Sequence, residues 1–229
     1  MKAVTQLLNY LATHPDAILR YRASDMILWT HTDGSYLSES KSRSRVGGYH
    51  FLSNMPKNNP PLPDDEPPMN NGAIQVVASI LKEILASAFE TEVAAMFYNC
   101  REAVPIRITL EEMGHPQPPT PVETDNVTAA GFANDTLKQK RSKAIDMRFY
   151  WIRDRVRQKQ FNIYWRRGSE GNKADYFTKH HPPTHHQAVR PLYLHEEAAT
   201  NNYYDCLVDD SDDETVVISN RSRSSGEGV

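Results

Sequence analysis

Apolar positions change their period several times along the chain, and each change marks an element. In residues 4–12, VTQLLNYLA, the spacing is helical, and THPD stops it. Two β-like runs follow, Met26 to Asp33 and Arg45 to Leu52, joined by a polar hairpin, and AIQVVASI reads as a third strand. Residues 86–101 place Phe89, Val93, Met96 and Cys100 on one helical face. A short strand is expected from Pro121 to Asp125 and a helix from Asn126 to Asn134. From Ser142 to Lys159 the spacing of Ile145, Phe149, Ile152 and Val156 predicts a long amphipathic helix. FNIYW alternates as a strand, and NKADYFTKH begins a last helix. The order β-β-β-α-β-α-α-β-α predicts an α/β fold, a mixed five-stranded sheet with a three-strand antiparallel meander, parallel strands and flanking helices.

Between these elements, NMPKNNPPLPDDEPPMNNG (54–72) reads as a Pro/Asn-rich loop without regular structure. Beyond His181 an irregular arm is expected, then disorder from about Asp205. The 229 residues are 39% hydrophobic, enough for one core with tails. No run of 18 apolar residues occurs and the opening lacks the pattern of a signal peptide, so an intracellular protein, of cytoplasm or nucleus and not secreted, is expected. Cys100 and Cys206 have no metal-like spacing, which fits a reducing compartment.

The net charge of −3 hides an asymmetry. Residues 138–179 carry thirteen Lys/Arg against four acids, whereas residues 201–229 carry seven acids and two arginines. A basic block inside folded sequence suggests a polyanion partner, and an acidic tail is usually solvated. The block's helical part reads equally as an ordinary solvated face. Its company with Trp151, Tyr164, Trp165, Arg166 and Arg167 favours a nucleic-acid backbone.

Four acids stand out: Asp33 and Asp125 at strand ends, Glu92 inside the helix of residues 86–101, and Asp175 near the start of the last helix. Any one alone reads as a cap or turn, and Asp33-Gly34 is also a common hairpin dipeptide. Brought within a few ångströms of one another they would repel without cations, and oxygen-only ligands select Mg²⁺ or Mn²⁺ over zinc. Two such ions about 3.5–4 Å apart clamp a scissile phosphate, which is nuclease chemistry. The run HHPPTHH with His195 invites a metal reading, which proline weakens by breaking the i, i+4 geometry.

These residues carry a resemblance. TDGSY…GGY is similar to the opening of ribonuclease H. SAFETEVAA, ETDN, RSKAIDMRFYWIRDRV and GSEGNKADYFTKHHPP resemble motifs of the ribonuclease H domain of copia-type (LTR) retrotransposon polyproteins, over about Lys2 to Leu194. The resemblance implies a ribonuclease H-like fold and Mg²⁺-dependent cutting of the RNA strand of RNA/DNA hybrids. It implies two Mg²⁺, with Mn²⁺ able to substitute, on Asp33, Glu92, Asp125 and Asp175. Glu90 and Glu92 point about 200° apart on a helix. Glu92 shares its face with Ala88 and Ala95 and stands in the family's register, which leaves Glu90 as a solvated charge.

Phosphates are expected on Lys143, Arg148, Arg155, Arg166 and Arg167, and 2′-hydroxyl recognition near Gly34, Ser35 and Asn126. Cellular ribonucleases H carry a histidine where this chain has Trp165, and the family's T-K-H-I-D histidine is Ala144 here. The expected domains are residues 1–25 as a residual polymerase connection segment and 26–182 as a ribonuclease H-like domain. Residues 183–204 would form a C-terminal arm and 205–229 an acidic disordered tail. A reverse transcriptase polymerase domain of a parent polyprotein is the implied protein partner, with no membrane and no small-molecule cofactor. Two other readings keep part of this: a decayed or co-opted module that binds nucleic acid without cutting it, and an unstable polyprotein fragment.

Overall fold

The computed structural model describes residues 2–62, 64–136, 143–168, 171–196 and 215–218. Its elements, in chain order, are α1 (Lys2–Thr13), β1 (Ala17–Arg22), β2 (Ile27–Glu39), β3 (Arg43–Ser53) and β4 (Ala73–Ile80). They continue with α2 (Ala88–Glu112), β5 (Thr120–Thr124), α3 (Val127–Ala133), α4 (Lys143–Arg157) and β6 (Phe161–Trp165). A 3₁₀ turn, Asp175–Phe177, follows, then α5 (Pro183–Val189), β7 (His195–Glu196) and β8 (Thr215–Ile218). Two compact units result, one of residues 24–182 and one of residues 1–23 with 183–229.

The larger unit is built on a five-stranded sheet of order β4-β3-β2-β5-β6. β2 pairs antiparallel with β3, and β3 with β4, whereas β5 runs parallel to β2 and β6 parallel to β5. The expected mixed sheet, a three-strand meander plus parallel strands, is therefore present. Its central strands are buried without interruption, from Ile27 to Asp33 on β2 and throughout β5. Such runs are what a strand covered on both faces requires. Leu28, Met96, Cys100, Val122, Ile152, Phe161 and Ile163 meet in the main core.

The hairpin between β2 and β3 turns at residues 40–42, where Lys41 and Ser42 take positive φ. Asp33 and Gly34 are therefore no turn, because they lie in the ladder opposite Gly47 and Val46. A single strand continues past the acid, which places Asp33 inside the sheet.

α2 runs eleven residues beyond its expected end at Arg101, through Pro105. What carries it on is tertiary: Ala103 and Leu110 join the core, and Arg107 donates to Thr120 Oγ1 at 2.7 Å and to the carbonyls of Gln117 and Pro118. This clasp ties the end of α2 to the start of β5. At the other end Ser87 caps the helix, accepting from Glu90 N, while Glu90 Oε2 accepts from Ala86 N at 2.8 Å. Glu90 is thus part of a reciprocal cap rather than the solvated charge expected of it. Glu90→Ala is expected to cost about 1 kcal/mol in thermal or urea unfolding, with Ser87→Ala similar in size.

A buried polar knot joins α2 to the sheet. Asn99 Nδ2 reaches the Gly47 carbonyl (2.8 Å), the Ala95 carbonyl (2.9 Å) and Thr32 Oγ1 (3.0 Å), so its Oδ1 must accept, and His50 Nε2 lies 3.2 Å from it. That assigns the His50 proton to Nε2 and leaves Nδ1 for the Thr30 hydroxyl, 3.1 Å away. Gly48 is needed here, because a Cβ at that position would run into the Asn99 amide. Burial lowers the His50 pKa to about 4, against weaker support for the charged form from Asn99 and Glu102. The unfolded histidine takes up its proton near pH 6.5 and the folded one only near pH 4, so stability held above pH 6.5 is lost as the pH falls through that window. About 3 kcal/mol is involved. Urea unfolding at stepped pH should show the loss, and His50→Gln should flatten it.

The last helix expected from NKADYFTKH is only the 3₁₀ turn Asp175–Phe177. It lies on the sheet: Asn172 Nδ2 donates to the Thr32 carbonyl, and Lys173 N to His31 Nδ1. The described part of 54–72 contains no helix or strand, as expected, and is tied down by Trp29 Nε1 to the Asn54 carbonyl and by Arg166 to the Asp65 carbonyl.

In the smaller unit β1 is the middle strand between β7 and β8, both antiparallel to it. The irregular arm expected beyond His181 instead contains α5, which Pro183 opens, a position where its missing N–H is harmless. Thr215–Ile218, expected within the disordered tail, pairs with Leu19–Arg22. The rest of residues 205–229 lies outside the described residues. Among the described residues no helix is long and apolar enough to cross a membrane.

Candidate metal centre

Three of the four acids converge. Asp33 from β2, Glu92 from α2 and Asp125 just beyond β5 offer carboxylate oxygens within 4.8 Å of one another. Glycines permit the approach. A Cβ on Gly34 would lie 2.8 Å from the Thr91 carbonyl of α2, and one on Gly47 would strike the Ala174 carbonyl. The helix and the 3₁₀ turn thus press on the strands that carry and flank Asp33. The TDGS and GGY runs are there for close packing as much as for chemistry.

Each member of the trio is held by a different neighbour. The Thr178 hydroxyl donates to Asp33 Oδ2. The Gly34 N–H supports the Glu92 carboxylate. Trp165 Nε1 donates to the Asp125 carbonyl at 2.9 Å, and Gly168 leaves room beside Asp125, since a Cβ there would stand 2.8 Å from Oδ2. Trp165 is a brace on the backbone of a candidate site acid.

The electrostatics are those of a cluster short of cations. Burial raises the Asp33 pKa to about 6, with Asp175 and Asp125 adding to the rise and the Thr178 hydrogen bond and Lys179 opposing it. Burial, then Asp33 and Asp125, push Glu92 well above the usual carboxylate range. Asp125 is raised by burial and by Asp175. Glu92 Oε2 is buried and has no hydrogen-bond partner among the described residues. A buried carboxylate oxygen left unsatisfied beside two others suits a hard divalent cation, and the all-oxygen donor set suits Mg²⁺ or Mn²⁺.

Asp175 is near enough to shift Asp33 and Asp125, but its carboxylate is not in the 4.8 Å group and is bonded to Lys179 Nζ. Burial works against the charge on Lys179, and the Asp175 hydrogen bond with the field of Asp175, Asp33 and Asp125 raises its pKa. Thr178 and Lys179 were not singled out by sequence reasoning. Their signal in the sequence is the FTK run that follows Asp175.

The expected nucleic-acid contacts divide. Gly34 and Ser35 lie on β2 directly after Asp33, and Asn126 caps α3, its Oδ1 accepting from Ala129 N at 3.0 Å. Arg167 is exposed. Arg155 stacks on Trp151 and donates to Gln160. Arg166 is 3% exposed, bonded to the Asp65 carbonyl and set near Glu123, so it braces the Pro-rich loop and is not placed to meet a phosphate. The side chains of Lys143 and Arg148 lie outside the described residues. Part of the basic excess is matched locally, since Arg153 and Arg157 both pair with Asp135.

No family model matches the chain. A retrovirus-related Pol polyprotein from transposon TNT 1-94 of Nicotiana tabacum is 26% identical to it over 178 residues, which is 78% of this chain and 12% of that polyprotein. The chain thus spans about an eighth of its relative's length. Among solved structures it is similar to a ribonuclease H1 isolated from compost, at TM-score 0.47 and 10% identity over 66% of this chain and 92% of that one. It is also similar to the N-terminal ribonuclease H domain of a Mycobacterium tuberculosis protein, at TM-score 0.44 and 12% identity over 67% and 91%. The resemblance expected from the motifs is borne out in the sequence: over 78% of its length this chain is similar to a retrotransposon Pol polyprotein, and its sheet is the mixed five-stranded one that was expected with that resemblance.

Proposed function

We propose that this chain is a retrotransposon-derived ribonuclease H that hydrolyses the RNA strand of RNA/DNA hybrids. The observation that carries the reading is the convergence of Asp33, Glu92 and Asp125, together with a buried Glu92 oxygen that no described residue satisfies. Asp33, Glu92 and Asp125 would hold a divalent ion, and Asp175 would complete a pair of sites. Bound Mg²⁺ or Mn²⁺ would supply Lewis-acid activation of water and charge neutralisation at the scissile phosphate. Thr178 keeps Asp33 oriented, and Trp165 holds the backbone that presents Asp125. Gly34 and Ser35, with the Asn126 amide, would stand where a ribose 2′-hydroxyl is read, and of the five expected phosphate contacts Arg167 and Arg155 are the described ones not buried under the Pro-rich loop. The products would carry a 5′-phosphate and a 3′-hydroxyl.

In the same reading the apolar stripe Val4, Leu7, Leu8 and Leu11, exposed on α1, is the surface offered to the reverse transcriptase part of a parent polyprotein. The test of function is cleavage of an end-labelled RNA/DNA hybrid by the full chain with and without Mg²⁺. Cutting of RNA in the hybrid alone, dependent on the ion, is the expected result. Salt-sensitive binding of the hybrid with no cutting at any Mg²⁺ or Mn²⁺ concentration overturns it in favour of a binding module.

A further inference from the structure

The Asp175–Lys179 pair has a use that the reading above does not need. The backbone beneath it is pinned: Phe177 N bonds to the Ala174 carbonyl, Thr178 N to the Asp175 carbonyl, and Gly47 receives the Ala174 carbonyl against β3. Only the Lys179 side chain, 51% exposed on four rotatable bonds, is free to leave. Its charge bears on Asp33, Glu92 and Asp125 as well as on Asp175. Asp175 is 35% exposed, and an ion pair so open to water shifts an equilibrium only by up to about fivefold. The pair is closed but easily opened, and a nucleic-acid phosphate offers the ammonium another charge-assisted partner.

We propose that Lys179 is a built-in cation that occupies Asp175 until a nucleic-acid phosphate draws it off, so that the fourth acid joins the other three as a ligand chiefly when substrate is present. The proposal rests on the metal reading of the preceding subsection. Its consequence is that the chain without nucleic acid favours one divalent ion, on Asp33, Glu92 and Asp125, over two.

Mn²⁺ binding to the full chain, followed by the electron paramagnetic resonance of free Mn²⁺ without nucleic acid, tests it. The parent chain should bind one Mn²⁺ firmly, lost in Asp33→Asn, and a second weakly. Lys179→Met should tighten the second by up to about fivefold, and that gain should vanish in the Lys179→Met/Asp175→Asn double variant. Two equally firm ions in the parent, no change in Lys179→Met, or a gain that survives Asp175→Asn each overturn the role of Lys179 while leaving the metal centre standing. A parent that binds no Mn²⁺, or an Asp33→Asn variant that binds it as well as the parent, overturns the metal centre itself.

Discussion

Asp33→Asn is expected to lower Mg²⁺-dependent cleavage of an RNA/DNA hybrid by on the order of 10³-fold and, in metal-free buffer at neutral pH, to unfold less readily than the parent chain. The two effects have one cause. Asp33 is buried beside Asp125 and Glu92, and its folded pKa is raised to about 6. A carboxylate raised in this way favours folding fully only below its unfolded pKa, and that advantage is lost as the pH climbs through 6. From the size of the shift, ionised Asp33 costs the metal-free fold about 3 kcal/mol at pH 7 and almost nothing at pH 4. Asparagine removes the charge and can still accept from Thr178. The difference in unfolding free energy between variant and parent should therefore grow from near zero at pH 4 to a gain of about 2–3 kcal/mol at pH 7. Taking the difference cancels the opposite trend of His50. Mg²⁺ should stabilise the parent and not the variant. An Asp33→Asn chain that melts below the parent in EDTA at pH 7 would contradict this account of the cluster.

Asn99→Ala should be among the most damaging single changes away from the acids. Asn99 is fully buried, and one amide answers Gly47, Ala95, Thr32 and His50 together. Truncation leaves the Gly47 carbonyl and the His50 Nε2–H buried without that partner, each at about 1–3 kcal/mol, and opens a void between α2 and the hairpin. A loss of about 3 kcal/mol or more in urea unfolding at pH 7.5 is expected. The same change should loosen β3 opposite Asp33, so divalent-ion affinity should fall with stability. A loss under 1 kcal/mol would show that the knot does not hold helix to sheet.

The fold was legible where periodicity is a property of a few neighbouring residues. β4, β6 and the start of α2 could be read from alternation and helical spacing, because burial against one layer imposes that pattern locally. Elements held by distant partners were not legible. α2 extends through Pro105 because Arg107 reaches Thr120, and β1 and β8 are strands because they find each other across most of the chain. Single-sequence pattern carries no sign of such encounters, and a proline or an acidic neighbourhood argues locally against them.

At the candidate site the order of the acids along the chain, their flanking glycines and the basic block could be taken from the sequence alone, since each is a matter of residue type and position. Tertiary structure alone decided that Asp33, Glu92 and Asp125 share one space while Asp175 faces Lys179, that Glu90 caps a helix, and that Arg166 is buried under a loop. The physical reason is common to all of these. A charged side chain takes its role from the groups within a few ångströms of it, and folding chooses those neighbours through packing of backbone and apolar surface elsewhere.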